Sequence, residues 1–573
     1  MDVPVSKEFD DIYFSRDDGL AESRFVFLEG NGFPAAFKGK EHLVIAETGF
    51  GTGLNYLTLR ALLEKHAPDL PLHFISFEKY PLSKDEIAAS LAHWKDEFPN
   101  AFDELLVHYP LRIPCIHDLR LSEKHRLTLV FGDINDTLPQ IGHVAVDAWF
   151  LDGFNPAKNP AMWSQTVFEN MARLSAPHAT FATFTAAGFV KRGLREVGFD
   201  VQKTEGFGRK RERLVGTFQG EGADIPTSPF QGKRVAIIGG GIAGCAAAYE
   251  AQIAGAKVTL FEAGDTLAGG ASGNPRGMIN PRFSKLKSDE ADFYMEGFAR
   301  TIKLARQIAK DNDIDYAETG ALHLITNTDK EERFKGTCSN WGWHTDHMEL
   351  VNADEASQIA GIPLEHGALY LPQSASLHPP AFCAALAKGA EIRLLAPVKN
   401  IVKAANGWSV DGEAFDIVIL AGGPETSALS PVVLPETHTV RGQLSYIEVN
   451  ETSLPLKCNL HYGGYISVAR DGMHVVGSTF QRWLVGTEVR EEDHKYIINN
   501  LEEAVPALKN VKIVGGRAAL RTSAKSRFPL FGALDGGLYV STAHGSHGLV
   551  SASVAARRMI NPLEQEKRLM VKG

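Results

Sequence analysis

Glu47-Thr48-Gly49-Phe50-Gly51-Thr52-Gly53 follows the apolar run His42-Leu43-Val44-Ile45-Ala46, and Gly239-Gly240-Gly241-Ile242-Ala243-Gly244 follows a second run, Lys233-Arg234-Val235-Ala236-Ile237-Ile238. Each reads as a buried parallel strand that ends in a glycine loop and opens a helix, the local signature of an α/β nucleotide site. Glycine is needed there because a side chain would keep a ligand away from the backbone at the carboxyl end of the strand. The loops differ in type, G-x-G-x-G against G-x-G-x-x-G. Two different nucleotide-derived ligands are therefore expected in one chain, and two consecutive reactions on one substrate.

A length of 573 residues allows several compact units. Gln219-Gly220-Glu221-Gly222-Ala223-Asp224-Ile225-Pro226-Thr227-Ser228-Pro229 reads as the linker, mixing glycine, proline and small polar residues between two patterned regions. The longest near-continuous apolar stretch, Val235 to Tyr249, is too short and too glycine-broken to span a membrane, and Met1-Asp2-Val3-Pro4 lacks the basic and apolar regions of a signal peptide. A cytoplasmic protein is expected. Five scattered cysteines without a C-x-x-C pattern imply a reducing compartment and no metal site. The net charge of -10 argues against a protein that coats nucleic acid non-specifically, but leaves room for a local basic footprint. Three basic groups could supply one: Lys191-Arg192 with Arg195, Arg209-Lys210-Arg211 with Arg213, and Arg276 with Arg282, Lys285 and Lys287.

Downstream of the first loop, a helix is expected from Leu54 to about His66, and three further strands end in acids. Leu72–Phe77 ends in Glu78, placed to accept both hydroxyls of a ribose. Leu127–Gly132 ends in Asp133, placed to meet an adenine amino group. Val146–Leu151 leads into Asp152-Gly153-Phe154-Asn155-Pro156. A single acid after a strand is more often a turn or cap residue. Ordered as glycine loop, acid, Gly-Asp and Asp-Gly-Phe, the set has the layout of a class I methyltransferase, with Glu47, Gly49, Gly51, Gly53, Glu78 and Asp133 expected at S-adenosylmethionine.

In the second half, Glu262 ends the next strand, Lys257-Val258-Thr259-Leu260-Phe261, 23 residues after Gly239. That spacing suits the acid that holds a ribose hydroxyl, with the pyrophosphate on the helix N-terminus beside Gly239, Gly241 and Gly244. FAD is favoured over NAD because Ala268 to Met278, with Ser272 and Gly277, forms a second small-residue segment that could track an extended ligand.

Phe9–Ser15, Gly19–Asn31 and above all Phe150-Leu151-Asp152-Gly153-Phe154-Asn155-Pro156-Ala157-Lys158-Asn159-Pro160-Ala161-Met162-Trp163 are more specific than a methyltransferase needs. With them the chain resembles the bifunctional tRNA 5-methylaminomethyl-2-thiouridine biosynthesis (MnmC) family over nearly its whole length. The second half separately resembles the D-amino-acid and glycine oxidases. Its strand Phe415–Gly423 is similar to their strand that returns to the cofactor, and Gly537–Leu549, with Gly545 and Gly548, to the segment that closes over the flavin ring.

The implied fold is α/β: a Rossmann-like class I methyltransferase domain over 1–222 fused to a two-dinucleotide-binding-fold FAD oxidoreductase over 233–573. The nucleotide-binding parts of the latter are expected at about 233–285, 395–428 and 530–573, with an α+β substrate subdomain between them. Gly464–Ser467 and Val475–Thr479 resemble strands of that subdomain.

The resemblance also implies the chemistry. The FAD domain would remove the carboxymethyl group from 5-carboxymethylaminomethyl-(2-thio)uridine at the wobble position of tRNA, leaving 5-aminomethyl-(2-thio)uridine. The N-terminal domain would methylate that amine, acting downstream of the enzymes that install the carboxymethylaminomethyl group. Arg521, in a stretch similar to the R-x7-P-x-x-G of glycine oxidases, is the candidate for holding the substrate carboxylate, because its planar fork binds both oxygens. Asp152 is the candidate acceptor for the amine proton. Phe154 or Trp163 is placed to stack on the uracil, against the plainer reading of core packing. No base for the oxidative step can be read from the sequence. Rival readings are an oxidase of free glycine or sarcosine fused to a small-molecule methyltransferase, and a tRNA-binding scaffold that has lost its ligands. The intact loops and acids speak against the scaffold.

Overall fold

In a computed structural model, the structure describes residues 18–142, 144–208, 210–224, 228–561 and 563, together with the strand pair Val5–Ser6 and Asp11–Ile12. Most of the Phe9–Ser15 motif, Arg209 and linker residues 225–227 lie outside the described residues. Of these, 18–224 with 563 form one compact unit and 228–561 a second.

The first unit is built on an eight-stranded sheet. Its strands are β1 (Leu43–Glu47), β2 (Leu72–Glu78), β3 (Ile116–Arg120), β4 (His125–Phe131), β5 (Val146–Leu151), β6 (Ser175–Thr183), β7 (Phe199–Glu205) and β8 (Glu212–Phe218), in the spatial order β3-β4-β2-β1-β5-β6-β8-β7. The central strands are parallel, while β3, β7 and β8 join antiparallel. Alternate residues feed two cores, as the pleat requires. Leu43, Ile45, Phe74 and Phe150 pack on one face, and Val44, Ala46, Ile75 and Trp149 on the other. Both faces being covered, β1 reads as an unbroken apolar run. Helix α1 (Leu54–His66) follows the first glycine loop. Strand order reverses between β1 and β5, which opens a crevice at their carboxyl ends.

The second unit contains two large sheets beside a two-stranded and a three-stranded one. One is six-stranded, ordered Glu391–Arg393, β10 (Lys257–Phe261), β9 (Arg234–Ile238), β11 (Ile417–Leu420), Leu538–Thr542 and Leu530–Asp535, and its members are parallel except for the last. Helix α2 (Ile242–Ile253) follows β9 and its glycine loop. The other is a mixed eight-stranded sheet in which β12 (Thr437–Glu448) lies between β13 (Met473–Gly477) and β14 (Ile513–Ala524), antiparallel to both. Tyr465–Ile466 pairs with β13. Helix α3 (Gly548–Ile560) returns to pack on α2. Among the described residues, no helix is long and apolar enough to cross a membrane, and no group of His, Cys, Asp or Glu could hold a metal ion.

Two candidate active sites

In the first unit the carboxyl ends of β1, β2, β4 and β5 converge on a cavity of about 380 Å³, within the range of sites for small ligands. Gly49, Gly51, Glu78, Asp133 and Asp152 all line it. The Glu78 carboxylate accepts the backbone N–H of Gly51 at 2.9 Å and of Tyr80 at 2.8 Å, which fixes the glycine loop against the end of β2. Burial raises its pKa, and those N–H groups oppose the shift. Asp133 caps the helical turn that follows β4 by accepting the N–H of Asn135. Burial would raise this carboxyl too, but hydrogen bonds from Lys79 and Asn135 outweigh it and hold the pKa below the usual value. The loop leaves no room for side chains: a Cβ on Gly49 would stand 3.1 Å from the Asp152 carbonyl oxygen, and one on Gly53 2.7 Å from the Phe50 ring. The cavity, the glycine cradle and the two acids fit a nucleoside-linked methyl donor.

Glu47 departs from the expectation that it meets that donor. It is fully buried, and both its oxygens are used inside the domain, one by Asn55 Nδ2 at 2.8 Å and the other by Ser76 Oγ at 2.7 Å. Burial and the nearby Asp152 carboxylate push its pKa well up. The residue that reaches the cavity in its place is Asn55, on the first turn of α1. Its amide donates to Glu47 and also to Asp152 Oδ2 at 2.7 Å, while its oxygen accepts Ser23 Oγ–H at 2.6 Å. Asp152 is thus held by Asn55 and by the N–H of Gly153, and desolvation in the cavity wall lifts its pKa to about 7.

Across the same cavity, Lys210 Nζ bonds Glu22 at 2.9 Å and sits 4.3 Å from the centre of the Phe184 ring. Phe154 lines the cavity, whereas Trp163 is buried in the core and donates its indole N–H to the Phe154 carbonyl. Of the two aromatics, only Phe154 is placed to meet a ligand.

The second unit holds a larger cavity, of about 1360 Å³, lined by Gly239, Gly241, Glu262, Ser272, Gly277, Arg521, Gly545 and Gly548. Glu262 accepts the N–H of Gly240 and of Gly264, both at 2.7 Å, tying the loop to the end of β10. Gly244 lies under the loop, where a Cβ would be 1.9 Å from the Gly239 carbonyl oxygen. Gly239 itself has φ 112°, and a Cβ there would meet the Ala421 carbonyl oxygen at 2.5 Å. Ser272 Oγ accepts the first N–H of α2 at 3.0 Å, which places the small-residue segment at the helix N-terminus. Gly277 is packed against Leu549 and Pro379. Space, glycine cradle and acid fit an extended dinucleotide such as FAD.

Arg521, on β14, projects into this cavity across Gly442 of β12. A Cβ on Gly442 would come within 2.1 Å of the guanidinium. Arg521 donates to Ser478 Oγ at 2.7 Å, and it has no carboxylate partner among the described residues. Burial lowers its pKa, which the nearby Tyr465 partly offsets. An arginine keeps its charge regardless, so the cavity presents a cation in want of an anion.

His461 and His323 line the same cavity, stacked with ring centres 4.4 Å apart and both linked to Asn280. Burial pushes His461 down to about 3 and His547 to about 4, so these imidazoles are neutral at physiological pH. His323, His461, Asn280 and Asn55 stand in no recognisable motif, whereas His547 falls in the segment likened to the one that closes over the flavin and Ser478 in a stretch likened to a substrate-subdomain strand. For Asn55 the one hint was its position beside the first loop.

The proposed basic footprints are largely spent on structure. Arg213 donates to the carbonyls of Phe25 and Val26 and stacks over the Phe25 ring, and the buried Arg276 pairs with Asp315. Arg282, Lys285 and Lys287 each have an acidic partner.

Residues 234–561 match the family of FAD dependent oxidoreductases, and residues 96–219 match a family of S-adenosyl-L-methionine-dependent methyltransferases. Among solved structures, glycine oxidase from Bacillus cereus ATCC 14579 superposes with a TM-score of 0.51 at 24% identity, covering 59% of this chain and 97% of that one. Glycine oxidase from Geobacillus kaustophilus gives a TM-score of 0.52 at 22% identity, covering 58% and 96%. At that identity the likeness speaks for the fold of the second unit.

The whole chain has curated relatives. The tRNA 5-methylaminomethyl-2-thiouridine biosynthesis bifunctional protein MnmC of Methylobacillus flagellatus is 36% identical over 98% of this chain and 92% of its own length. The protein of the same name from Ectopseudomonas mendocina is 35% identical over 98% and 93%. With two cofactor cradles in one chain and likeness along nearly its full length, the chain belongs to the family of bifunctional tRNA 5-methylaminomethyl-2-thiouridine biosynthesis proteins.

Proposed function

We infer that the protein modifies the wobble uridine of tRNA in two steps. An FAD-dependent step removes the carboxymethyl group from 5-carboxymethylaminomethyl-(2-thio)uridine, and an S-adenosylmethionine-dependent step methylates the resulting 5-aminomethyl group. The enzyme would act after those that install the carboxymethylaminomethyl group. One observation carries the reading: a single chain has two cofactor cradles, one lined by Arg521, suited to hold a carboxylate, and the other by Asp152, suited to take a proton.

FAD would be held along Gly239, Gly241, Glu262 and Ser272 and would take a hydride from the C–H bond beside the nitrogen; water would then hydrolyse the resulting imine to glyoxylate and the 5-aminomethyl group. Arg521 binds the carboxylate of the carboxymethylamino group and so orients that bond, while Ser478 holds the guanidinium. A cationic Arg521 and a dry wall of neutral imidazoles disfavour an ammonium, and the reacting nitrogen is kept as the free amine.

S-adenosylmethionine would be held by the loop of Gly49 and Gly51 with Glu78 and Asp133, and would supply the methyl group when bound. Asp152 receives the proton of the incoming amine, and with a pKa of about 7 it is poised to do so near neutrality. Phe154 and Phe184 flank the entry as faces for the uracil.

Mass spectrometry of nucleosides from tRNA carrying the carboxymethylaminomethyl group tests the assignment. Asp152→Asn should accumulate the 5-aminomethyl nucleoside with S-adenosylmethionine present, whereas Arg521→Ala should leave the starting nucleoside but still methylate aminomethyl-tRNA. Loss of both steps in both folded variants would overturn the two-site assignment. Turnover of glycine or sarcosine by a protein inert toward tRNA would overturn the substrate.

A further inference from the structure

Ser478, which holds Arg521 inside the flavin cavity, lies two residues before a loop that leaves the cavity and turns outward. Phe480 and Thr487 line the rim, and between them Trp483 is 76% exposed and Val485 73%. Phe480 is itself 52% exposed. Singly exposed apolar residues are ordinary. Three within six positions, two of them aromatic, at the mouth of a reactive cavity are not.

The loop is held rigidly at its base. The buried Arg441 of β12 donates to the Gly486 carbonyl at 2.8 Å, the Glu488 carbonyl at 2.5 Å and Gln481 Oε1 at 2.7 Å, and pairs with Asp493. The main chains of Gln481 and Arg441 also exchange hydrogen bonds, both at 2.9 Å. A buried arginine with all its donors used fixes the exit angle of the loop while its tip stays in water. Arg482 adds charge: it lies 5.6 Å from the Phe480 ring and has no ion pair among the described residues. Exposed Arg333 also lines the cavity.

We propose that residues 480–485 form a stacking platform for single-stranded RNA, on which Trp483 and Phe480 receive the unpaired bases flanking the uridine whose side group reaches Arg521, with Arg482 against their phosphates. The proposal rests on the tRNA reading above. Flat aromatic faces suit unstacked bases of any sequence, and a free cation beside them suits the backbone that joins those bases.

The test uses the full-length, flavin-loaded protein and anaerobic bleaching of the flavin. Its two substrates are an anticodon stem-loop RNA carrying 5-carboxymethylaminomethyluridine at the wobble position and the free modified nucleoside. Trp483→Ala should raise the half-saturating stem-loop concentration about tenfold and leave the nucleoside reaction unchanged. Phe480→Ala should weaken the stem-loop likewise, Trp483→Phe should keep most of its affinity, and Arg482→Ala should flatten the salt dependence.

Unchanged stem-loop saturation in Trp483→Ala would overturn the platform, as would an equal loss on both substrates. So would a self-association seen by sedimentation that Trp483→Ala abolishes without affecting the RNA, since a second copy would then cover the tip. If wild-type protein is bleached by neither substrate, the substrate reading falls and the platform with it.

Discussion

Asn55 shows how much one uncharged side chain can carry. Its amide separates two carboxyls, Glu47 and Asp152, that would otherwise face each other across the end of β1. Removing it leaves a buried acceptor unsatisfied, a loss of about 1–3 kcal/mol. Asn55→Ala is therefore expected to lower the thermal midpoint of the first unit and abolish methyl transfer while flavin reduction by substrate tRNA persists. Assaying the three together checks this.

The neighbouring Asp152 sets a pH dependence. Burial holds this carboxyl at about 7, above its ordinary range, so it is neutral below that pH and anionic above it. A cationic sulfonium binds the anion better, so affinity for S-adenosylmethionine should rise with pH through about 7 and level off above it, with a proton released on binding. Calorimetric titrations between about pH 6 and 8 should show this slope in the wild type and none in Asp152→Asn. A slope of the opposite sign would remove Asp152 from the donor site.

At the level of elements, the strand-loop-helix units were the most legible part of the chain. β1, α1, β5, β9, α2 and β10 fall where the apolar runs and glycines place them, because burial on both faces leaves an uninterrupted apolar signal. The acids were legible only as a set. Glu47 and Glu78 look alike as residues ending strands, yet one points into the core and the other into the crevice, and the sequence carries no mark of that difference. Arg521 was singled out by the stretch around it, and the structure places it in the cavity wall. Its seat was not legible in the sequence, since that depends on Gly442 of β12 and on Ser478 just past the end of β13, brought together only by the pairing of β12 with β13 and β14.

The glycine loop of the second unit gives a prediction of its own. A methyl group at Gly244 would overlap the Gly239 carbonyl, so Gly244→Ala should purify without yellow colour yet still methylate aminomethyl-tRNA. Absorbance near the flavin bands, set against methylation of that RNA, decides it.

On the scale of the whole molecule, the two units own separate cores and separate ligands. A ligand stabilises only the state that binds it. Scanning calorimetry should therefore resolve two transitions, with S-adenosylmethionine raising one midpoint and FAD the other. A single transition shifted by both would show that the units unfold as one. The guanidinium of Arg521, lacking a counter-carboxylate among the described residues, adds a direction to the sequence of events. In the proposed reaction, oxidation strips the wobble side group of the carboxylate that this cation would grip and leaves a basic amine that it would repel. On the proposed assignment the flavin cavity would evict its own product by a change of sign, and the methyl-donor cavity, with Glu22, Glu78, Asp133 and Asp152 in its wall, would be the place where that newly made cation is welcome.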